Sequence, residues 1–321
     1  MDLLTDILQD AGLRRRVLNL SELPDDVALQ FPCDRSIGLH VVVRGNVHLH
    51  TGAFDAPLLL GEGDIAVMAR GRDHVLAVPP DLAALRPMLI GDRMGPGKGC
   101  STVISGAFQL WNDPLHPFFA ELPPWFVLRA AERSRHGPLA LTAQLIEAEF
   151  RCDEPGADSV VHALLDVVFT YALRQIALQR GASRTGWSHA VRDVQIRRAL
   201  TLMHEDIAYR WTLEELAQRA GLSRTVLAER FRDAMGDTPL NHLRTLRMQR
   251  AMKLLSESAR NLETVAAAVG YQDAFSFSKV FKRIVGVAPK AFRQRDAADR
   301  SHPWRFVGDQ SAAEVQLRPL V

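Results

Sequence analysis

Two hydrophobic periods divide this chain of 321 residues. Between about residues 27 and 108 apolar and polar positions alternate, the period of half-buried strands. Leu39, Val41 and Val43 alternate up to Arg44-Gly45-Asn46, and Val47 to His50 follow, which predicts a hairpin with a two-residue loop. Further strands are expected over 58–63, 64–68, 70–76 and 102–109, punctuated by Gly and Pro. Short strands this close together predict a small antiparallel barrel or sandwich. Elsewhere the period is that of helices. They are expected over 1–18, 139–151, 158–180, 189–207 and 239–256, with a polar, glycine-containing linker at 181–188 and a loosely ordered tail at 296–321.

The stretch from Trp211 to Phe292 holds one module written twice. Ala217 and Gly221 recur 49 residues later as Ala266 and Gly270; Phe231, Gly236 and Pro239 recur 50 residues later as Phe281, Gly286 and Pro289. A fixed offset marks a duplicated supersecondary unit. In the first copy Thr212 and Glu215 form a capping box. Gly221 ends that helix, Ser223 caps the next, and Leu227 and Phe231 anchor it inward. In the second, Gly270 stops, Asp273 caps, and Phe277 and Phe281 anchor. The outward positions are Arg224, Thr225, Ala228, Glu229 and Arg232 in the first copy, and Ala274, Phe275, Ser278, Lys279 and Lys282 in the second. Those are where a helix-turn-helix meets the major groove.

With Leu216-Ala217, Gly221-Leu222-Ser223, Phe231, Gly236-x-x-Pro239, Arg247, Ala251, Leu254-Leu255, Val269-Gly270-Tyr271, Phe275, Phe281, Gly286-x-x-Pro289 and Phe292-Arg293 in place, this region resembles the DNA-binding domain of the AraC/XylS family of bacterial transcription regulators. The Gly63-Asp64 turn and the Gly71-x-x-His74 segment, expected as a hairpin, resemble the cupin barrels that many such regulators carry. Trp111 to Pro117 and Leu122 to Trp125 are similar to a subfamily with that sensor. The resemblance implies an α+β protein with three parts: a cupin-like effector-sensing domain at 1–185, with flanking helices, a double helix-turn-helix domain at 186–295, and the tail.

Charge supports this division. Residues 1–189 carry 17 Lys+Arg against 22 Asp+Glu, net −5; residues 190–295 carry 19 against 11, net +8; the tail carries 3 against 4. The positive excess therefore sits on the duplicated module, as phosphate binding requires. A composition of 47% hydrophobic and 24% charged residues is that of a soluble globular protein. No uncharged apolar run has the length of a membrane span, and the N-terminus lacks a signal pattern, so no membrane and a cytoplasmic location are expected. Cys33, Cys100 and Cys152 have no metal-type spacing and read as reduced thiols.

Cupins also include metalloenzymes, so the histidines are weighed as ligands. His48 and His50 share one strand face, yet no carboxylate follows at the short spacing those enzymes use. With the hairpin register, His50 opposes Val41, His48 opposes Val43, and His40 lies on the other face. His40 and His74 are then the candidate effector residues in the barrel interior. No metal, cofactor or catalytic group is expected, and the protein is read as a regulator rather than an enzyme. A metal-dependent cupin fused to a DNA-binding module and a thiol-based redox switch are the alternatives. Partners expected are double-stranded DNA, a small-molecule effector, RNA polymerase for an activator, and a second copy through the wide apolar stripe of 158–180.

Overall fold

The computed structural model describes residues 14–31, 33, 36–69, 71–90, 101–109, 117–120, 122–134, 136–152, 154–179, 190 and 192–299, with Leu4, Thr5 and Leu8. They form two compact units, one built mainly from 14–109 and 123–176, the other mainly from 177–301.

The first unit is a two-sheet sandwich. One sheet runs β1 (Arg14–Leu23), β9 (Ser101–Gln109), β3 (Ser36–Arg44), β6 (Ile65–Met68) and β10 (Trp125–Leu128). The other runs β5 (Leu58–Leu60), β4 (Val47–His50), β7 (His74–Ala77), β2 (Val27–Phe31) and β8 (Arg86–Leu89). Pairing is antiparallel except between β2 and β8, which run parallel. Leu29, Phe31, Val42, Val47, Leu49, Met68, Leu76, Val103 and Trp125 fill the core between the sheets.

The first sheet is covered on its outer side as well. Helices α2 (Pro138–Arg151) and α3 (Ala157–Gln179) follow β10; a short helix, α1 (Pro117–Ala120), precedes it and groups with the other unit. A Cβ at Gly106 of β9 would lie 2.3 Å from Leu165 of α3, so a glycine is needed for this close approach. Beside it Phe108 and Phe169 pack with ring centroids 4.4 Å apart and planes tilted by 36°. Burial on both faces explains why β3 is buried from Ser36 to Val42 without alternation. It also explains the composition of α3, which is long and apolar enough to cross a membrane by length and composition. Val161, Leu165, Val168, Phe169, Leu173 and Ile176 are buried in the fold itself.

Several sequence expectations change here. Residues 14–18 begin strand β1 rather than ending a helix; Leu4, Thr5 and Leu8 are helical. Strands β3 and β4 do not form a hairpin. They belong to opposite sheets, with Gly45 (φ 77°) at the corner and a register shift between Val42 and Arg44 bending β3 towards it. His48 and His50 therefore pair with Ala77 and Val75 of β7, not with Val43 and Val41. The Gly71-x-x-His74 segment likewise carries the chain from β6 in one sheet to β7 in the other. A tight polar turn between alternating runs reads the same in sequence whether the runs pair or part. Residues 111–116 and 181–188 lie outside the described residues.

The second unit is helical: α4 (Val194–Glu205), α5 (Leu213–Ala220), α6 (Arg224–Met235), α7 (Pro239–Glu257), α8 (Leu262–Ala268), α9 (Ala274–Val285) and α10 (Pro289–Asp299). Helix α4 starts later than the pattern suggested because Asp193 caps it, accepting from the Gln195 and Ile196 amides. Helix α7 starts at Pro239 behind its Thr238 cap, as expected. Helix α10 extends four residues into the span expected to be tail, and Asp296 on it is buried.

Candidate functional site

Each module builds a presented helix from the turn outward. Thr212 accepts from the Glu215 amide while the Glu215 carboxylate accepts from the Thr212 amide, completing the capping box. Gly221 (φ 77°) then allows the Leu222 amide to donate back to the Ala217 carbonyl at 2.9 Å. Ser223 caps α6, and Leu227 and Phe231 point inward, fully buried. The second module repeats this: Tyr271 donates to Ala266 at 2.9 Å, Asp273 caps α9 through the Ser276 amide at 2.7 Å, and Phe277 and Phe281 are fully buried.

What remains outside is the expected set. Arg224, Thr225, Glu229 and Arg232 are exposed on α6 and Ala228 is half-buried; Phe275, Lys279 and Lys282 are exposed on α9, with Ala274 and Ser278 half-buried. Both helices thus present one outward stripe starting at the N-terminus, mostly polar and charged on α6 and combining the exposed Phe275 with two lysines on α9.

Three arginines fix these helices and were not singled out as fixtures. Arg230 of α6 pairs with Asp193 and donates to Gln195 at 2.6 Å, clamping the helix to α4. Burial disfavours the Asp193 carboxylate, but the Ile196 amide, Arg230 and the Gln195 amide outweigh it and lower its pKa. Arg247 of α7 turns back onto the fold. It donates to the Ile207 and Tyr209 carbonyls at 2.9 and 2.7 Å and lies over the Tyr271 ring at 5.9 Å, joining the two modules. Arg293 does the same for α10, donating to the Leu255 and Arg260 carbonyls. The signal was in the sequence, since Arg247 and Arg293 both belong to the motif that carried the resemblance.

Residues 2–177 match a cupin family model, and residues 216–295 a helix-turn-helix domain model. The solved DNA-binding domain of AdpA, in complex with a target DNA, is 30% identical with a TM-score of 0.33, covering 34% of this chain and 98% of that one. A Streptomyces lividans protein described as an AraC-like transcription regulator is 29% identical over 277 residues. One from Streptomyces antibioticus is 30% identical over 277 residues, spanning 83% of this chain and 90% of its own. The chain belongs to the AraC family of transcription regulators. It is a DNA-binding regulator with a cupin N-terminal domain.

The cupin domain of this AraC-type regulator brings its two candidate histidines together. His40 on β3 and His74 on β7 meet across the core, Nε2 to Nε2, at 2.8 Å. His74 Nδ1 lies 2.8 Å from the Arg72 carbonyl, which only accepts, so Nδ1 carries the proton. His74 Nε2 is then bare and accepts from His40 Nε2–H, and His40 Nδ1 accepts from the Ser105 hydroxyl at 2.9 Å. The relay is complete with both rings neutral. Phe31 stacks on His74 with centroids 4.8 Å apart, and Trp125 meets it edge-on at 4.8 Å. The cavity beside the pair, also lined by Cys33, Met68 and Ser105, has room for a molecule the size of water.

His48 donates to or accepts from no part of this relay; its Nδ1 lies 2.8 Å from the Val78 carbonyl. Among the described residues no group of three or more His, Cys, Asp or Glu side chains is placed to hold a metal ion. Cys33 is buried and Cys152 exposed, and Cys100 lies outside the described residues.

The relay makes the sandwich acid-sensitive. Burial lowers the His74 pKa to about 4 from 6.5, and burial followed by repulsion from His74 lowers that of His40 well below 6.5. Below pH 6.5 the unfolded chain therefore binds protons that the folded one does not, so stability falls as pH falls. Each histidine is expected to contribute a slope of about 1.4 kcal/mol per pH unit until its folded-state pKa is reached. Urea unfolding of the full chain between pH 6.5 and 4.5 reads this through the sandwich transition; a flat profile would mean the pair is not buried and neutral.

Proposed function

We propose that α6 and α9 enter successive major-groove segments on one face of the operator. Arg224, Thr225, Ala228, Glu229 and Arg232 would meet one segment, and Ala274, Phe275, Ser278, Lys279 and Lys282 the next. The observation that carries this reading is the repeat of one capped, phenylalanine-anchored helix, with its outward stripe in register across a 50-residue offset. Arg247, by joining the modules, would hold the two stripes at a fixed separation. Footprinting of the full chain on a selected duplex tests the arrangement: two protected tracts about one helical turn apart are expected. Binding should weaken steeply with salt as phosphate contacts release counterions.

The assignment of domains follows from this reading: a cupin-like sensor over 1–185, a DNA-binding domain over 186–295 and a terminal segment over 296–321. Sensing of a small effector is assigned to the pocket beside His40 and His74, supported by the two buried imidazoles that line it; because the space is water-sized, a larger effector would have to displace neighbouring core side chains. Dose-response curves of His40→Gln and His74→Gln, with folding and DNA affinity checked in parallel, test that assignment. A second copy is the partner proposed for the sensor unit. The apolar stripe expected to meet that copy is largely buried in the fold, and Leu141, Leu145, Val160, Val167 and Leu178 are the large apolar side chains left exposed on α2 and α3. RNA polymerase contact belongs to the reading of the protein as an activator.

A further inference from the structure

We propose that Phe275 reads thymine methyl groups, so that the second half of the operator is recognised partly by apolar contact while the first is recognised by hydrogen bonds. The inference rests on the reading of α9 as a recognition helix. Phe275 is 81% exposed, the largest exposure among the large hydrophobic side chains of the described residues. Scattered exposed apolar residues are ordinary, so exposure alone decides nothing. Position does. Phe275 is the second residue of α9, directly after the Asp273 cap and Ala274, where a recognition helix reaches base edges.

An inward alternative is closed to this side chain. Phe277 and Phe281 already fill the buried face of α9, in contact with each other and with Phe292, and no described ring packs on Phe275. Phenylalanine has neither donor nor acceptor, and the only apolar group on a base edge in the major groove is the thymine methyl. The equivalent residue of the first module, 50 positions earlier, is Thr225, whose hydroxyl both donates and accepts. Four positions beyond each, Glu229 of α6 faces outward where Lys279 does on α9. The two helices thus present different chemistry at equivalent places. Lys279 and Lys282, about one and two turns beyond Phe275, can hold phosphates beside an apolar reader.

The test uses the full chain and a duplex selected by it from a random-sequence library. Each thymine is replaced in turn by deoxyuridine, which lacks only the methyl group. One or two substitutions within the tract protected by α9 should weaken binding about fourfold each, the worth of one buried methyl. Phe275→Ala should bind the thymine duplex more weakly and show no difference between the thymine and uracil forms. Its fold should be unchanged, since the side chain is exposed. Wild-type affinity insensitive to uracil at every position would overturn the proposal, as would a Phe275→Ala variant that keeps the uracil penalty. So would a Phe275→Ala variant with unaltered DNA affinity and lost transcriptional output, which would mark a protein-docking residue. Failure to enrich any duplex would sink the recognition-helix reading itself, and this proposal with it.

Discussion

Phe281→Ala is expected to destabilise the helical unit by about 3–5 kcal/mol, the range for truncating a core aromatic. The ring is fully buried among Phe277, Phe292, Met248 and Leu255, with the two phenylalanine centroids at 5.5 and 5.7 Å. The Asp273 side chain caps α9 at its start and the Gly286 amide closes its end, so the helix has little freedom to collapse into the space left behind. Because domains of this size are stable by only about 5–15 kcal/mol, the loss should leave the second module marginal at physiological temperature. Phe231→Ala should behave alike in the first module, where the ring packs edge-on against His242 at 5.5 Å. Calorimetry of the full chain would show the helical transition displaced and the sandwich transition unmoved. An undisplaced melt for Phe281→Ala would contradict the packing described.

Gly270→Ala should cost about 2–5 kcal/mol, and for two separable reasons. At φ 81° a side chain adds about 1–2 kcal/mol of left-handed strain. The new Cβ would also lie 2.5 Å from the Ala208 carbonyl oxygen and 2.8 Å from the Arg247 guanidinium. Backbone at that distance must move, and overpacking of this kind costs about 1–3 kcal/mol. Gly286→Ala is the control: its φ is 84°, yet nothing lies within 4 Å of the Cβ, so only the strain remains. DNA affinity should separate the two further, because Gly270 sits on the seam that Arg247 bridges between modules. Equal losses for both variants would show that the seam is not tight.

The helical unit was largely legible in the sequence because its information is local. Caps, left-handed glycines and inward phenylalanines each lie within a few residues of what they control, and duplication stated them twice. The sandwich was less legible because its pairings are distant. Nothing near Gly45 distinguishes a hairpin from a corner between sheets, and β1 was hidden by Arg14-Arg15-Arg16 beside a helical pattern. The nearness of His40 and His74 was foreseen, but their partners were not. Ser105 lies on β9, distant in sequence, and although Arg72 is only two residues before His74, nothing in the local pattern shows its carbonyl turning back to within 3 Å of the ring. The role of Arg247 is hidden for a related reason: the Ile207 and Tyr209 carbonyls it meets lie 40 and 38 residues away in the chain.

Hydroxyl-radical footprinting of the full chain on a selected duplex, repeated with one outward cation removed from each module, tests the central claim most directly. Wild type should protect two tracts about 10 base pairs apart on one face. Arg232→Ala should weaken the tract under α6 and Lys282→Ala the tract under α9, each leaving the other visible, since both side chains are exposed and neither supports the core. A single tract in the wild type, or the same tract weakened by both variants, would contradict two recognition helices reading successive segments.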